Sequence, residues 1–282
     1  MPFQVYGASG DRYTHSAGRR RLSAIAAGVA AIAMSIGLAA IPAQAVPPPP
    51  PLDYVALGDS YAAGHGAAPY TDSCFRSQKG YPAIADKRRD VQLTANAACS
   101  GWTMDAVLAN LPVAALQDAE IVTLTVGAND LNSTDLLIAC LPDPLSVQCL
   151  EAGKRVEDML TDGSFAMELA TLVTRIHMFA PDAKIVLTGY PYLFDPNHPF
   201  AAVGNLLAGA LNQVIAGVAA ATGSQYVDVT AAFAGHAVGS AEPWLNFFPD
   251  NPLDPTNFHP TGEGYRHGYF ASLVSQGAFV LN

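Results

Sequence analysis

Three polar clusters each come directly after a short apolar run: Gly58-Asp59-Ser60 in "YVALGDSYAAG", Ser100-Gly101 in "CSGWTMD" and Asn129-Asp130 in "VGANDL". A serine hydroxyl is a poor nucleophile until a neighbouring base takes its proton, and the tetrahedral adduct it forms needs donors aimed at its oxyanion. Ser60, where a strand ends and a helix begins, presents its hydroxyl beside free backbone N–H groups. Gly101 offers a main-chain N–H with no Cβ in the way, and Asn129 adds a side-chain amide. Together the Ser60 amide, the Gly101 amide and the Asn129 side chain make an oxyanion hole, each donor lowering the barrier by about 3 kcal/mol. Each cluster taken alone also reads as an ordinary turn or helix cap. Their joint placement after successive apolar runs is what favours chemistry.

The base must be one of six histidines after residue 45: His65, His177, His198, His236, His259 or His267. His177 falls in a helical pattern, and His65 is too near Ser60 in sequence to be the obvious partner. His259 in "NFHPTGEGY" precedes Pro260 and Thr261, a helix-start signature that fixes the backbone around it. It is the expected base. An unperturbed histidine titrates near ~6.5, so activity through His259 is expected to fall as pH drops through that region.

The elements that hold these residues alternate in type. Residues 54–57, 91–95, 121–126, 184–187 and 226–229 are short, largely uncharged and β-rich, as strands covered on both faces are. Residues 81–89, 103–111, 152–179 and 200–222 repeat apolar residues at three and four, which predicts helices. That order is α/β, with parallel strands and helices on both sides. Ligands of such sheets sit outside the carboxyl ends of the strands, where all three polar clusters fall.

The first 45 residues read as an address. Arg19, Arg20 and Arg21 precede the uncharged apolar run 22–41, and Ala43-Gln44-Ala45 supplies a small-x-small cleavage pattern. Residues 1–45 are therefore expected to be a signal peptide cleaved after Ala45, residues 46–51 a proline-rich spacer, and residues 52–282 one domain of a secreted protein. The whole chain carries 14 basic and 24 acidic residues. Removing the leader takes four arginines and one aspartate and leaves about −13. Such a surface repels phosphate backbones, so nucleic acid is not an expected partner. Four cysteines in an exported chain make two disulfides in one of three pairings, of which Cys74–Cys99 and Cys140–Cys149 close the shortest loops. No Cys/His spacing suits a metal, so neither metal nor cofactor is expected.

In order along the chain, "ALGDSYAAG", "CSGWTMD", "VGANDL" and "FHPTGEGY" resemble the four blocks of the GDSL or SGNH hydrolase family. The similarity is strongest to its secreted actinobacterial lipases and esterases, which share the paired cysteines, "YVDVTAAFAGH" and a tryptophan shortly after, here Trp244. The resemblance implies a flavodoxin-like three-layer α/β/α sandwich with a central parallel sheet of about five strands. It also implies a serine ester hydrolase of lipase or carboxylesterase type that works through an acyl-serine intermediate. Ser60 would be the nucleophile, His259 the general base and acid, and Ser60, Gly101 and Asn129 the oxyanion hole. Two departures stand out. Where the family has aspartate three residues before the histidine, this chain has Thr256. The main-chain carbonyl of Thr256 or Asn257 is then expected to orient the imidazole, with Asp254 a secondary candidate. Where related lipases place a further cysteine stands Gly239, so the loop 233–257 is expected to be looser. A Cys74–Cys99 bridge would hold the segment that carries Gly101.

An ester is the expected substrate and a monomer the expected state. Tyr190, Phe194, Trp244 and Phe258 are candidates for the walls of a cleft that accepts an acyl chain, although the same aromatics would suit a carbohydrate deacetylase. A secreted binding protein on the same scaffold is the reading from another class. The α/β-hydrolase pattern G-x-S-x-G is absent, and Gly64-His65-Gly66-Ala67-Ala68-Pro69 lacks the third glycine of a dinucleotide fingerprint.

Overall fold

A computed structural model describes residues 48–140 and 142–281. The leader expected at 1–45 and the first two residues of the spacer lie outside the described residues. Five parallel strands form one sheet: β1 (Leu52–Gly58), β2 (Val91–Asn96), β3 (Ile121–Thr125), β4 (Lys184–Thr188) and β5 (Gln225–Val227). Their order is β2-β1-β3-β4-β5, the doubly wound arrangement that reverses direction between β1 and β3. Tyr54 through Leu57 in β1 and all of β3 are buried, which explains why these strands are unbroken apolar or β-branched runs rather than alternating ones.

Helices cover both faces and complete the three-layer α/β/α sandwich. They are α1 (Ser60–Ala63), α2 (Tyr81–Ala85), α3 (Met104–Ala109), α4 (Val113–Asp118), α5 (Ser133–Cys140), α6 (Val147–Thr161), α7 (Ser164–Phe179) and α8 (Ala201–Ala221). A π-helical segment, Gly264–Phe270, then runs into α9 (Ala271–Ser275). The single helix expected over 152–179 is two. Their apolar faces continue one periodicity, but Gly163 takes φ +86 and Asp162 accepts the Ser164 amide at 2.8 Å, so the chain stops and restarts there.

The register brings three loops out at one level. Gly58 stands opposite Thr125, the Asp59 amide donates to the Thr125 carbonyl at 2.8 Å, and the Cys99 amide donates to the Gly58 carbonyl at 3.0 Å. Only glycine fits at 58, because a Cβ there would lie 2.0 Å from the Thr125 carbonyl oxygen. The segment 233–257 is pinned by bridges joining Phe194 to Val238 and Leu245 to Pro260, and Gly239 packs against His198. Disulfides join Cys74 to Cys99 and Cys140 to Cys149.

Candidate active site

Ser60 is the first residue of α1, so its N–H has no partner within the helix. Asp59 caps that helix, accepting the Tyr61 amide at 2.9 Å. The other carboxylate oxygen of Asp59 takes a 2.5 Å bond from the Tyr190 hydroxyl. Burial pushes the Asp59 carboxyl up to about 7, against the pull of these donors. Tyr190 is itself clamped by the buried Asn212, whose amide accepts from its N–H and donates to its carbonyl, both at 2.8 Å. The tyrosine also takes the Ala128 amide at 3.3 Å. It therefore links the ends of β1, β3 and β4.

Gly101 follows the bridged Cys99 and takes φ +84, a left-handed conformation that an L side chain resists. The Ser100 amide is held by the Cys74 carbonyl at 3.1 Å, so the disulfide and this bond fix the segment from both sides. Asn129 donates one amide proton to the Trp102 carbonyl at 2.8 Å, which leaves its second for another acceptor.

His259 sits in a loop set by a strained residue. Phe258 takes φ +65, a conformation that costs a bulky residue about 1–3 kcal/mol. Its carbonyl is held by the Tyr61 hydroxyl at 2.6 Å and its amide by the Asn246 carbonyl at 2.7 Å. His259 Nδ1 lies 3.1 Å from the Asn257 carbonyl. That contact puts the proton on Nδ1 and leaves Nε2 with a lone pair. The Thr256 carbonyl instead accepts the main-chain N–H of His259 at 3.1 Å. Asp254 is turned to other partners: its carboxylate takes the Thr256 amide at 2.9 Å and the Thr256 hydroxyl at 2.6 Å, which hold it below the usual carboxylate range. Removal from water, then the neighbouring His65, pulls the His259 imidazole down to about 3, while the Asn257 carbonyl acts in the opposite direction. The expected acid limit near the ordinary histidine value is thereby displaced downward.

Ser60, Asn129 and His259 line one cavity of about 160 Å³. Its remaining wall is largely apolar, with Leu136 and Leu137 of α5, Leu207 and Leu211 of α8, and Tyr190 and Phe258. Gly101 lies outside that lining. Phe194 is buried behind it and, with Phe200 and Val203, bounds a small apolar hollow that shares Leu136, Leu137 and Gly204 with the cavity. Trp244, expected as a wall, is elsewhere: it stacks on His236 at 3.6 Å and meets the edge of Phe233. Tyr190 lines the cavity as expected, but two relationships were not legible in the sequence. The Tyr190 hydroxyl acts on Asp59 across 131 residues, and His65 packs on His259 with ring centroids 4.4 Å apart. The histidine's proximity to Ser60 in sequence was the available signal. Among the described residues, no group of three or more His, Cys, Asp or Glu is placed to hold a metal.

The profile of the GDSL-like lipase/acylhydrolase family matches residues 56–267. A Streptomyces rimosus protein named lipase is 32% identical over 269 residues, covering 90% of this chain and 99% of the relative. The crystal structure of an extracellular lipase from Streptomyces rimosus superposes with a TM-score of 0.72 at 31% identity, covering 79% of this chain and 99% of that one. That of phospholipase A1 from Streptomyces albidoflavus gives 0.72 at 30%, covering 80% and 99%.

Proposed function

The chain belongs to the GDSL-like lipase/acylhydrolase family and is a carboxylic ester hydrolase, and from that premise we propose that Ser60 is its nucleophile, His259 its general base and acid, and the Ser60 amide, Gly101 amide and Asn129 side chain its oxyanion hole. The observation that carries this reading is the shared cavity, in which the serine, the asparagine and the histidine face one apolar space. Ser60 Oγ attacks the ester carbonyl carbon as His259 Nε2 takes its proton. The oxyanion forms against the three donors, and His259 returns the proton to the departing alcohol oxygen. Water, deprotonated by the same imidazole, then attacks the acyl-serine, and the imidazolium passes that proton to the departing Ser60 Oγ as the acid is released. The Asn257 carbonyl holds the tautomer that this sequence requires, in place of a carboxylate.

The apolar wall favours an acyl chain longer than acetyl, because burying methylene groups there is favourable by about 0.8 kcal/mol each. A lipase-type ester is thus favoured over a carbohydrate acetate. Residues 1–45 are proposed to be a cleaved export signal and residues 52–282 the secreted catalytic domain. Support comes from the apolar run 22–41, from the two disulfides and from the extracellular relative.

Intact mass after incubation with a fluorophosphonate, on the protein and on Ser60→Ala, tests the nucleophile. One adduct on the first and none on the second is the expected result. No adduct on either would overturn the assignment and favour a binding protein on this scaffold.

A further inference from the structure

His65 is 3% exposed, stacks on Phe75 with centroids 4.5 Å apart and meets the edge of Tyr70. Its Nδ1 is 2.9 Å from the Ser100 hydroxyl, while its buried Nε2 has no partner. On its other side lies His259, 4.4 Å away between centroids. The contact continues along the backbone, since a Cβ at Gly66 would meet His259 Cβ at 2.8 Å, and Asn246 donates to both the Gly66 and His259 carbonyls. The Tyr265 hydroxyl fixes the His65 carbonyl at 2.7 Å. An imidazole held this firmly, with one nitrogen left unsatisfied in the interior, calls for a function beyond packing.

We propose that His65 is a positioning residue for ester hydrolysis: its ring braces His259 on one side and, through the Ser100 hydroxyl, steadies the segment bearing Gly101 on the other, so that the base and an oxyanion donor keep one register. This rests on the roles proposed above for Ser60, His259 and Gly101. His65 stands outside the lining of the apolar cavity, so it acts on the catalytic groups and not on the acyl chain. The groups facing it are His259 and Asp254 of the last loop, Tyr70 of the loop after α1, and Ser100 after β2. Burial lowers the His65 imidazole while Asp254 raises it, and a proton on His65 opposes one on His259. The neighbour therefore influences the basicity of His259 as well as its position.

Two variants separate these effects. His65→Phe keeps an aromatic ring against Phe75 and His259 but loses both nitrogens, and Ser100→Ala removes only the hydroxyl. Each is measured for kcat and KM on a p-nitrophenyl ester from pH 3 to pH 9, for its rate of fluorophosphonate labelling, and for its thermal midpoint. Each should lower kcat ~10- to 100-fold, as misplacement of reacting groups does, with KM within about twofold. The double variant should be no worse than the poorer single one, because both remove the same bond. The acid limb of kcat/KM should move to higher pH in His65→Phe and stay in place in Ser100→Ala. His65→Asn, whose amide reaches the Nδ1 position, should recover part of kcat but not the acid limb. Additive losses, a loss confined to KM, or an acid limb unmoved in His65→Phe would each overturn the proposal. Should His65→Phe fail to fold, kcat unchanged in Ser100→Ala would overturn it equally. Failure of the unmodified protein to label would instead remove the Ser60 assignment and this inference with it.

Discussion

The Tyr190 hydroxyl donates to Asp59 across 2.5 Å, so the residue before the serine is tied to the segment that follows β4. The Asp59 carboxyl is fully buried and raised from 3.8 to about 7, chiefly by loss of water. The fold therefore favours its protonated form: the stability this contributes is complete below about pH 4 and is lost as pH rises through 7. Tyr190→Phe removes a donor to the carboxylate and should destabilise by ~1–3 kcal/mol, more at pH 8 than at pH 5. Urea unfolding at the two values checks this. A difference independent of pH would mean that Asp59 does not titrate in that window.

His259 works in the opposite sense. Its folded value is depressed to about 3 against an ordinary 6.5, so the stability it contributes is present above 6.5 and lost as pH falls toward 3. Activity should accordingly persist at pH 5, with the acid limb of kcat/KM well below 6. A limb centred near 6.5 would show an imidazole in ordinary contact with water.

Asn129→Ala should lower kcat by ~10²–10³-fold with little change in KM, as the loss of one oxyanion donor does. The bond from its amide to the Trp102 carbonyl also goes. Asn129→Ser, which retains a donor but shortens the reach, should be intermediate. A loss expressed only in KM would place Asn129 on the bound substrate rather than on the oxyanion.

Gly58 and Gly101 should respond differently to alanine. At Gly58 the new Cβ would meet the Thr125 carbonyl at 2.0 Å, so Gly58→Ala should not fold. At Gly101 nothing lies within 4 Å, and the cost is the left-handed φ alone, about 1–2 kcal/mol. Gly101→Ala should remain folded by circular dichroism yet lose activity, because the strain displaces the amide. Full activity in that variant would remove Gly101 from the oxyanion hole.

Filling the cavity should change which ester is preferred. Leu207→Trp places bulk among Leu136, Leu137 and Phe258, and kcat/KM for long-chain p-nitrophenyl esters should fall ~10-fold or more while the acetate is little affected. An equal loss across chain lengths would mean that the acyl group lies elsewhere.

The sheet was legible because strands buried on both faces leave an uninterrupted signal, as all five residues of β3 do. The break between α6 and α7 was less so: apolar periodicity runs across Asp162 and Gly163, and only the left-handed glycine divides it. Which polar residues leave neighbouring strands could be read from their place after apolar runs. How their side chains pair could not. Asn257 and not Asp254 approaches the His259 Nδ1 because Thr256 occupies the Asp254 carboxylate with its amide and hydroxyl, a local turn that composition does not reveal. His65 is too close to Ser60 in sequence to be its obvious partner, and its packing on the base was not legible. The left-handed Gly64 ends α1 after one turn and folds the chain back, so sequence proximity becomes contact with His259.

Because Gly58, Thr125 and Cys99 are joined at one level of the sheet, the three loops converge only when β1 is paired with β3 and extended by the segment after β2. The residues that meet there come from positions 60, 101, 129 and 259, so no contiguous fragment short of nearly the whole domain contains them all. Long-range pairing of this kind forms late relative to local helices. A partly folded chain therefore has a serine but no site, and reactivity toward esters arrives together with the completed fold.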